Sequence, residues 1–344
     1  MSEPRLLSVA QVDRDALHRF LERFFGPVKA EFLHRHGDWW HRGQENRTVL
    51  EVDGEIAGYN AVIPTRCQVA GRTVDAVWWM DLVIAPEFRG RRLQSLLDED
   101  VRSRAPLLLG FPNELAARIH RKHGWGVRED LRTLLLPLDP RALGAVRRAR
   151  GARGALLRTA AAALVPATAL WRRRLGIRRP GKAWQLAEPS ARTLGAVAAL
   201  GPRGTVSWSR SEEDLAWRYL DCPYREELRF LFAGEASRPR LALVLRRRPT
   251  GAVRLLDVFG DLEDGAALDD LLKLAVASSA GTGATQMVAL AAAPPLAAAL
   301  RRRGFVLSST ARFCWWSGDG AIMEAIARGP FHWCLGDSDN DEPR

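Results

Sequence analysis

Two tight turns inside one apolar stretch constrain this chain more than any other feature of its sequence. Residues 47–85 read RTVLEVDGEIAGYNAVIPTRCQVAGRTVDAVWWMDLVIA. Asp53-Gly54 separates two apolar runs, and such a pair signals a hairpin because both turn positions need a positive φ that Asp and Gly tolerate. Ala70-Gly71-Arg72 marks a second turn, leading into residues 74–84. Three or four consecutive antiparallel strands are therefore expected. Pro86, which has no N–H for a ladder, ends the last of them.

Helical and further strand signals surround this meander. Val12, Leu17, Phe20, Leu21 and Phe24 recur at helical spacing over residues 11–25. After Pro86 a helix is expected over 93–103, a short buried strand over 106–111, a helix over 113–123 closed by Gly124, and a strand over 131–137. Helix, antiparallel strands, helix, strand, helix, strand is the order of a mixed α/β domain. A second region starts near Ala183, with strands at 228–234, 240–246, 252–259 and 285–291 around a helix at 265–279. A helix at 294–303 and a strand at 311–317 follow. The element order repeats without clear sequence identity, which predicts a structural duplication. The expected division is a first domain over 1–140, a basic segment over 141–182, a second domain over 183–320, and a C-terminal segment over 321–344 with an acidic tail.

At 344 residues the chain is long enough for two domains, each with its own core. Apolar residues at 47% and charged residues at 26% are the profile of a soluble globular protein. Cys67, Cys222, Cys314 and Cys334 are scattered, without a CxxC pair or a histidine at metal spacing, so no disulfide framework and no metal site is expected. The first twenty residues mix acids with bases and lack an apolar signal core, which predicts a cytoplasmic location.

The net charge of +11 is uneven, because residues 141–182 hold twelve Arg or Lys and no acid. Such a run attracts anionic partners. Its single aromatic, Trp171, and the lack of a recognition motif argue against specific nucleic-acid binding. The centre, residues 159–171, is apolar for 13 residues and contains Pro166, short of the roughly 20 that span a bilayer. Two readings stand: a helical linker, or a basic element in peripheral contact with a membrane surface.

The chemistry concentrates in residues 80–100, MDLVIAPEFRGRRLQSLLDED. A strand, a Pro-terminated turn and a basic loop open a helix there. The unpaired N–H groups of a helix start and the positive end of its dipole form an anion site. Arg89, Gly90, Arg91, Arg92, Leu93 and Gln94 would supply those N–H groups, and three of them add charge. A pyrophosphate suits such a site; a basic surface turn without a ligand is the alternative.

Ile84-Ala85-Pro86, Phe88 and Arg89-Gly90 resemble the acyl-CoA-binding motif of the GNAT N-acetyltransferase superfamily, V-x-P, an aromatic, then R-G-x-G-x-G/A. Arg92 and Gln94 stand where that motif has glycines. A second match, Asn113-Glu114-Leu115-Ala116 with His120 and Gly124-Trp125, resembles the family's N-x-x-A-x-x-x-Y-x-x-x-G-F. The resemblance implies an acyl-CoA co-substrate, acetyl-CoA first, and a small-molecule amine or amino-sugar acceptor.

The resemblance also implies roles. Asn113 would contact the cofactor arm, and backbone N–H groups of a bulge at Leu82, Val83 and Ile84 would polarise the thioester oxygen. His120 occupies the position of a Tyr that protonates the departing thiolate, a transfer within reach of an imidazole. Asp81 lies where related enzymes place an acid, and burial between Trp79 and Leu82 would make it a better base. The alternatives are a polar residue on a helix flank for His120 and a carboxylate bonded to backbone or arginine for Asp81.

Other features carry less. His34, His36, Asp38, Trp39, Trp40 and His41 have no partner cluster for a metal and suit packing or a substrate-facing role. Trp78 and Trp79 alternate across a strand, one of them in the core. Trp217-Arg218-Tyr219 with Cys222-Pro223-Tyr224 resembles an element of tandem GNAT-like proteins. The second half is acidic at residues 259–264, where phosphate would bind, so a structural or acceptor-binding role is expected for it. Gly336-Asp337-Ser338-Asp339 either lines an acceptor cleft or belongs to a solvated tail. Beside the acyltransferase stand two other readings, a non-catalytic CoA-binding protein and a basic membrane-surface protein.

Overall fold

Both expected turns close with their central residues in the left-handed region, Asp53 at φ 51° and Gly54 at 80°, Ala70 at 50° and Gly71 at 79°. This holds in a computed structural model that describes residues 3–139, 146, 150–176, 183–186, 190–201, 206–235 and 238–338. The turns join β2 (Arg47–Val52), β3 (Glu55–Val69) and β4 (Arg72–Ile84) into an antiparallel meander, with β1 (Arg5–Ser8) added on the β2 edge.

Two compact units divide the chain. The first comprises Met1–Glu129, Arg312–Gly329 and Ser338–Arg344; the second comprises Asp130–Ala311 and Pro330–Asp337.

In the first unit α1 (Arg14–Phe25) is followed at once by α2 (Pro27–Trp40), a helix that periodicity did not announce. After β4 comes α3 (Leu93–Arg104), which buries Leu93, Leu97 and Val101, a stripe at every fourth residue. It returns the chain to β5 (Leu107–Gly110), parallel to β4. Then come α4 (Glu114–Lys122) and β6 (Gly126–Pro137). Trp78 and Trp79 are both buried, on opposite faces of β4: Trp78 stacks on Phe111, and Trp79 packs near Trp125.

In the second unit β7 (Ala183–Leu186), β9 (Leu228–Glu235), β10 (Arg238–Arg247) and β11 (Ala252–Gly260) pair antiparallel in that order. A helical crossover through α7 (Gly265–Gly281) leads to β12 (Gln286–Ala291), parallel to β11, and α8 (Pro294–Arg302) follows. The crossover precedes a parallel strand in both units, so the element order is duplicated. The segment 141–182 lies partly outside the described residues; its central part forms α5 (Gly151–Gly176), which contacts α7. Between α5 and β9 lie α6 (Ala191–Leu200) and β8 (Val206–Trp208), the latter paired in parallel with β14 (Phe331–His332). None of the described helices is long and apolar enough to cross a membrane.

The expected boundaries shift because two strands belong where they pair. Residues Arg132 to Pro137 of β6 pair antiparallel with β12, so the first unit ends at Glu129 rather than at 140. In β13 (Val306–Ser317), Cys314 to Ser317 pair antiparallel with β5, so the strand from Arg312 onward belongs to the first unit, as does α9 (Gly320–Arg328), while Val306–Ala311 stays with the second. The last residues of the acidic tail, 339–344, lie outside the described residues.

Gly126 supports the joint between β6 and β13 in the first unit: a Cβ there would overlap the indole ring of Trp315. Gly126→Ala is expected to destabilise by about 1–3 kcal/mol through overpacking. A denaturant midpoint unchanged from that of the parent would contradict this.

Candidate functional site

The β3–β4 ladder slips between the pairs Tyr59–Val83 and Ala61–Met80, so Asn60 alone faces both Asp81 and Leu82. Asp81 takes φ 59°, which costs of order 1 kcal/mol in a residue other than glycine. Such a bulge leaves one residue out of the ladder and re-aims its neighbours. It falls at Asp81 and Leu82, one step before the expected residues 82–84. The pairing of β4 with β5 stops at Trp78–Leu109. Beyond that point a cavity of about 210 Å³ opens, lined by Trp79, Asp81, Leu82, Phe111, Asn113 and His120 among others.

Asp81 is buried as expected, but it is not a free carboxylate. Its side chain, 2% exposed, forms an ion pair with Lys29 of α2, and His41 Nε2 lies 3.9 Å from its second oxygen. Burial, then the charges of Arg47 and Lys29, push His41 well below the usual histidine range, so it is neutral. To accept a proton Asp81 would have to give up the Lys29 ion pair, which offsets the basicity expected from burial alone.

His120, on α4, sits edge-on to Trp79 with ring centroids 5.5 Å apart, and 4.4 Å from the ring of Trp125. Burial is the main cause that lowers its pKa to about 4, against a smaller opposing pull from Asp98. It therefore enters the cavity as a neutral imidazole and holds no spare proton at pH 7. Asn113 caps α4: its side-chain oxygen accepts from the Ala116 N–H at 2.9 Å. That bond uses one lone pair of the oxygen, and the amide N–H₂ can donate to a ligand.

The basic loop follows β4 directly. Gly90 has φ 80° and Arg92 φ 57°, and no side chain among the described residues caps the N-terminus of α3. Arg89, Gly90, Arg91 and Arg92 are exposed, whereas the side chain of Leu93 is buried, so only its N–H is available. Arg89 Nε donates to the carbonyl of Ile84 at 3.1 Å, and Arg91 lies 5.2 Å over the Phe88 ring. Arg92 thus stands in a conformation that glycine adopts without strain, where the motif has glycine. The loop's donors and charges fit a pyrophosphate; the site has alternating left-handed residues and a free helix start.

Sequence reading missed the partners of this site, Lys29 and His41, because neither is near Asp81 in sequence. The aromatic and histidine run resolves into α2, where Trp40 is fully buried against Phe32.

The second unit has the same framework, filled from within. The β10–β11 ladder slips at Leu256, just after the parallel pairing of β11 with β12 ends at Leu255–Ala289. The Leu256 carbonyl accepts from Gly336 N at 2.7 Å, where a Cβ would crowd that carbonyl and Tyr219 Oη. Asp257 accepts from Arg210 Nε at 2.9 Å and from Tyr219 Oη at 3.1 Å, and Arg210 also pairs with Asp337 at 3.3 Å. Asp337 is therefore an anchor in the core and not a lining of an open cleft. At the start of α7, Asp264 accepts from Ala267 N and Asp261 from Glu263 N, so the chain's own carboxylates take the donors a phosphate would use.

Burial keeps three histidines of these sites neutral: His120 and His332 with pKa values near about 4, and His41 well below 6.5. Between pH 4 and 6.5 the unfolded chain binds protons at these positions that the folded one refuses, so stability rises with pH. Asp337 acts the other way. Burial, opposed by Arg210, raises its pKa from 3.8 to about 7, so its contribution is lost as pH rises through 7. Three imidazoles outweigh one carboxyl, and the thermal midpoint is expected to climb from pH 4 to 6.5. A midpoint that falls over that interval would contradict neutral burial of the histidines.

No protein-family model matches the chain, and no curated protein sequence does. Solved structures do match. A GCN5-related N-acetyltransferase from Anabaena variabilis, 15% identical, aligns with a TM-score of 0.61 over 93% of this chain and 74% of its own. The N-myristoyltransferase of Saccharomyces cerevisiae with bound myristoyl-CoA, 11% identical, aligns with a TM-score of 0.63 over 97% of this chain and 89% of its own. A probable N-acyltransferase from Enterococcus faecalis, 10% identical, gives 0.62 over 94% and 74%. At such identities the likeness is one of fold, and this chain has the GNAT fold of the GCN5-related N-acetyltransferases and N-myristoyltransferases.

Proposed function

We propose that the chain is an acyl-CoA-dependent N-acyltransferase, using acetyl-CoA and a small amine or amino sugar, with its chemistry in the first unit. One observation supports this above the others. The bulge at Asp81 and Leu82 opens onto a cavity where β4 and β5 part, and the same strand runs on into the uncapped, arginine-rich start of α3. A freed backbone N–H, a cavity and an anion site in a row suit a thioester carried on a pyrophosphate-bearing arm.

The transfer makes a C–N bond and breaks a C–S bond, and one proton passes from the amine nitrogen to the sulfur. Leu82 N–H, released by the bulge, stabilises the oxyanion. His120 takes the proton as a neutral imidazole, and its depressed pKa makes the resulting imidazolium a ready donor to the thiolate. Asp81, paired with Lys29, fixes the bulge rather than moving the proton. A cavity of about 210 Å³ is larger than the roughly 150 Å³ that takes up benzene, which suits a short acyl group beside an amine.

The experiment is thiol release from acetyl-CoA with a panel of amines and amino sugars. His120→Gln is expected to lower kcat by about 100-fold or more with acetyl-CoA binding retained. Arg92, strained where glycine is the family residue, favours a second reading, CoA binding without turnover. Binding with no thiol release for any acceptor would select it. The acyltransferase reading places no demand on the basic segment 141–182, and membrane contact through it stays a separate proposal.

A further inference from the structure

The first unit holds a second concavity, of about 280 Å³, between α1, α2 and the turns that precede α1 and β2. Its floor is apolar: Val9, Val12, Leu17, Leu21 and Leu33. Arg47 forms one wall and is 7% exposed. Its guanidinium pairs with Asp38 and lies on the surface of Gly37, where a Cβ would overlap it. A glycine inside a helix costs about 1 kcal/mol, and here it makes room for that arginine.

The polar groups are unevenly matched. Asp38 is engaged at both oxygens, one on Arg47 and the other accepting from Gln44 Nε2 at 2.8 Å. Arg47 Nε is buried and donates to no acceptor, and His18 Nδ1 is buried without a partner. Arg35, at the rim, pairs with Glu31. Arg14 donates to the His34 carbonyl at 2.7 Å and pairs with no carboxylate among the described residues. Arg14 is thus a cation without a carboxylate partner among the described residues, beside an apolar floor, and two unused nitrogens lie buried in the walls.

We infer that this pocket binds a compact carboxylate with an apolar body. A single negative charge matches the single unmatched cation, whereas a doubly charged phosphate would meet the nearby carboxylates of Asp38 and Glu31. The volume, nearly twice the roughly 150 Å³ that holds benzene, takes a ring or branched chain with its carboxylate. The inference does not rest on the acyl-transfer reading, since no residue of that site lines this pocket.

The test is calorimetric titration of the full chain with phenylacetate, 4-methylpentanoate and hexanoate. Phenylacetamide and inorganic phosphate serve as neutral and plain-anion controls. At least one carboxylate is expected to bind about tenfold or more tighter than both controls, and Arg14→Gln, an exposed change that keeps the fold, to weaken it about tenfold. Failure of all three carboxylates to bind would overturn the inference. So would binding no tighter than phosphate or phenylacetamide, or binding unchanged by Arg14→Gln. Loss of binding in Arg89→Ala/Arg92→Ala, with Arg14→Gln unaffected, would assign the carboxylate to the other site and equally overturn it.

Discussion

Arg210→Met is expected to cost about 3–5 kcal/mol, a large part of the whole stability of a domain. Arg210 is fully buried, and its guanidinium holds Asp257 at 2.8 Å and Asp337 at 3.3 Å, both also fully buried. One cation compensates two carboxyls, and burial already leaves Asp337 titrating near 7. Removing the cation strands Asp257 in the core with Tyr219 Oη and the Val258 N–H as its remaining donors in this cluster. Urea denaturation at pH 7 measures the loss. The triple variant Arg210→Met/Asp257→Asn/Asp337→Asn should recover most of it, because the charges go together. A single-variant loss below about 1 kcal/mol would contradict the assignment of this cluster as the anchor that fills the second unit's cleft.

Lys29→Met is expected to destabilise the first unit by a similar amount, about 3–5 kcal/mol, by taking the Lys29 charge away from the buried Asp81 carboxylate. His41 cannot replace Lys29, because it is neutral. Asp81 sits at φ 59° on the bulge, so its side chain and the backbone beside the cavity move together. Lys29→Met/Asp81→Asn should regain most of the stability. If Asp81 fixes the bulge, the double variant retains acetyl-CoA binding and loses less than about tenfold in kcat. A loss near that of His120→Gln would instead make Asp81 the base.

What the sequence disclosed follows the range of the interactions. The meander was legible because Asp53-Gly54 and Ala70-Gly71 settle their turns locally, and α3 because Leu93, Leu97 and Val101 repeat at helical period. The helix α2 was hidden. His34, Arg35, His36, Gly37 and Asp38 interrupt its apolar stripe, and they do so because several of them line the concavity beside α1 rather than the core. The division of β6 and β13 between the two units depends on which strand edge each part meets, and apolar patterning is silent on that.

The candidate site was legible in its loop and not in its electrostatics. The anion-binding signal of residues 89–94 is contiguous, so it can be read. Lys29 and Asp81 are 52 residues apart, Arg210 and Asp337 127 apart, and nothing local couples them. The neutrality of His120 comes from burial beside Trp79 and Trp125, a property of packing that residue type does not reveal.

We propose that the first unit alone takes up acyl-CoA, on the loop that opens α3. Calorimetric titration of the full chain with acetyl-CoA tests it, in the parent, in Arg89→Ala/Arg92→Ala and in Asp261→Ala/Asp264→Ala of the second unit. One equivalent of acetyl-CoA is predicted to bind the parent. The arginine variant should lose about tenfold or more in affinity, and the second-unit variant should bind like the parent. Absence of binding to the parent, or binding indifferent to the loss of both arginines, would contradict it.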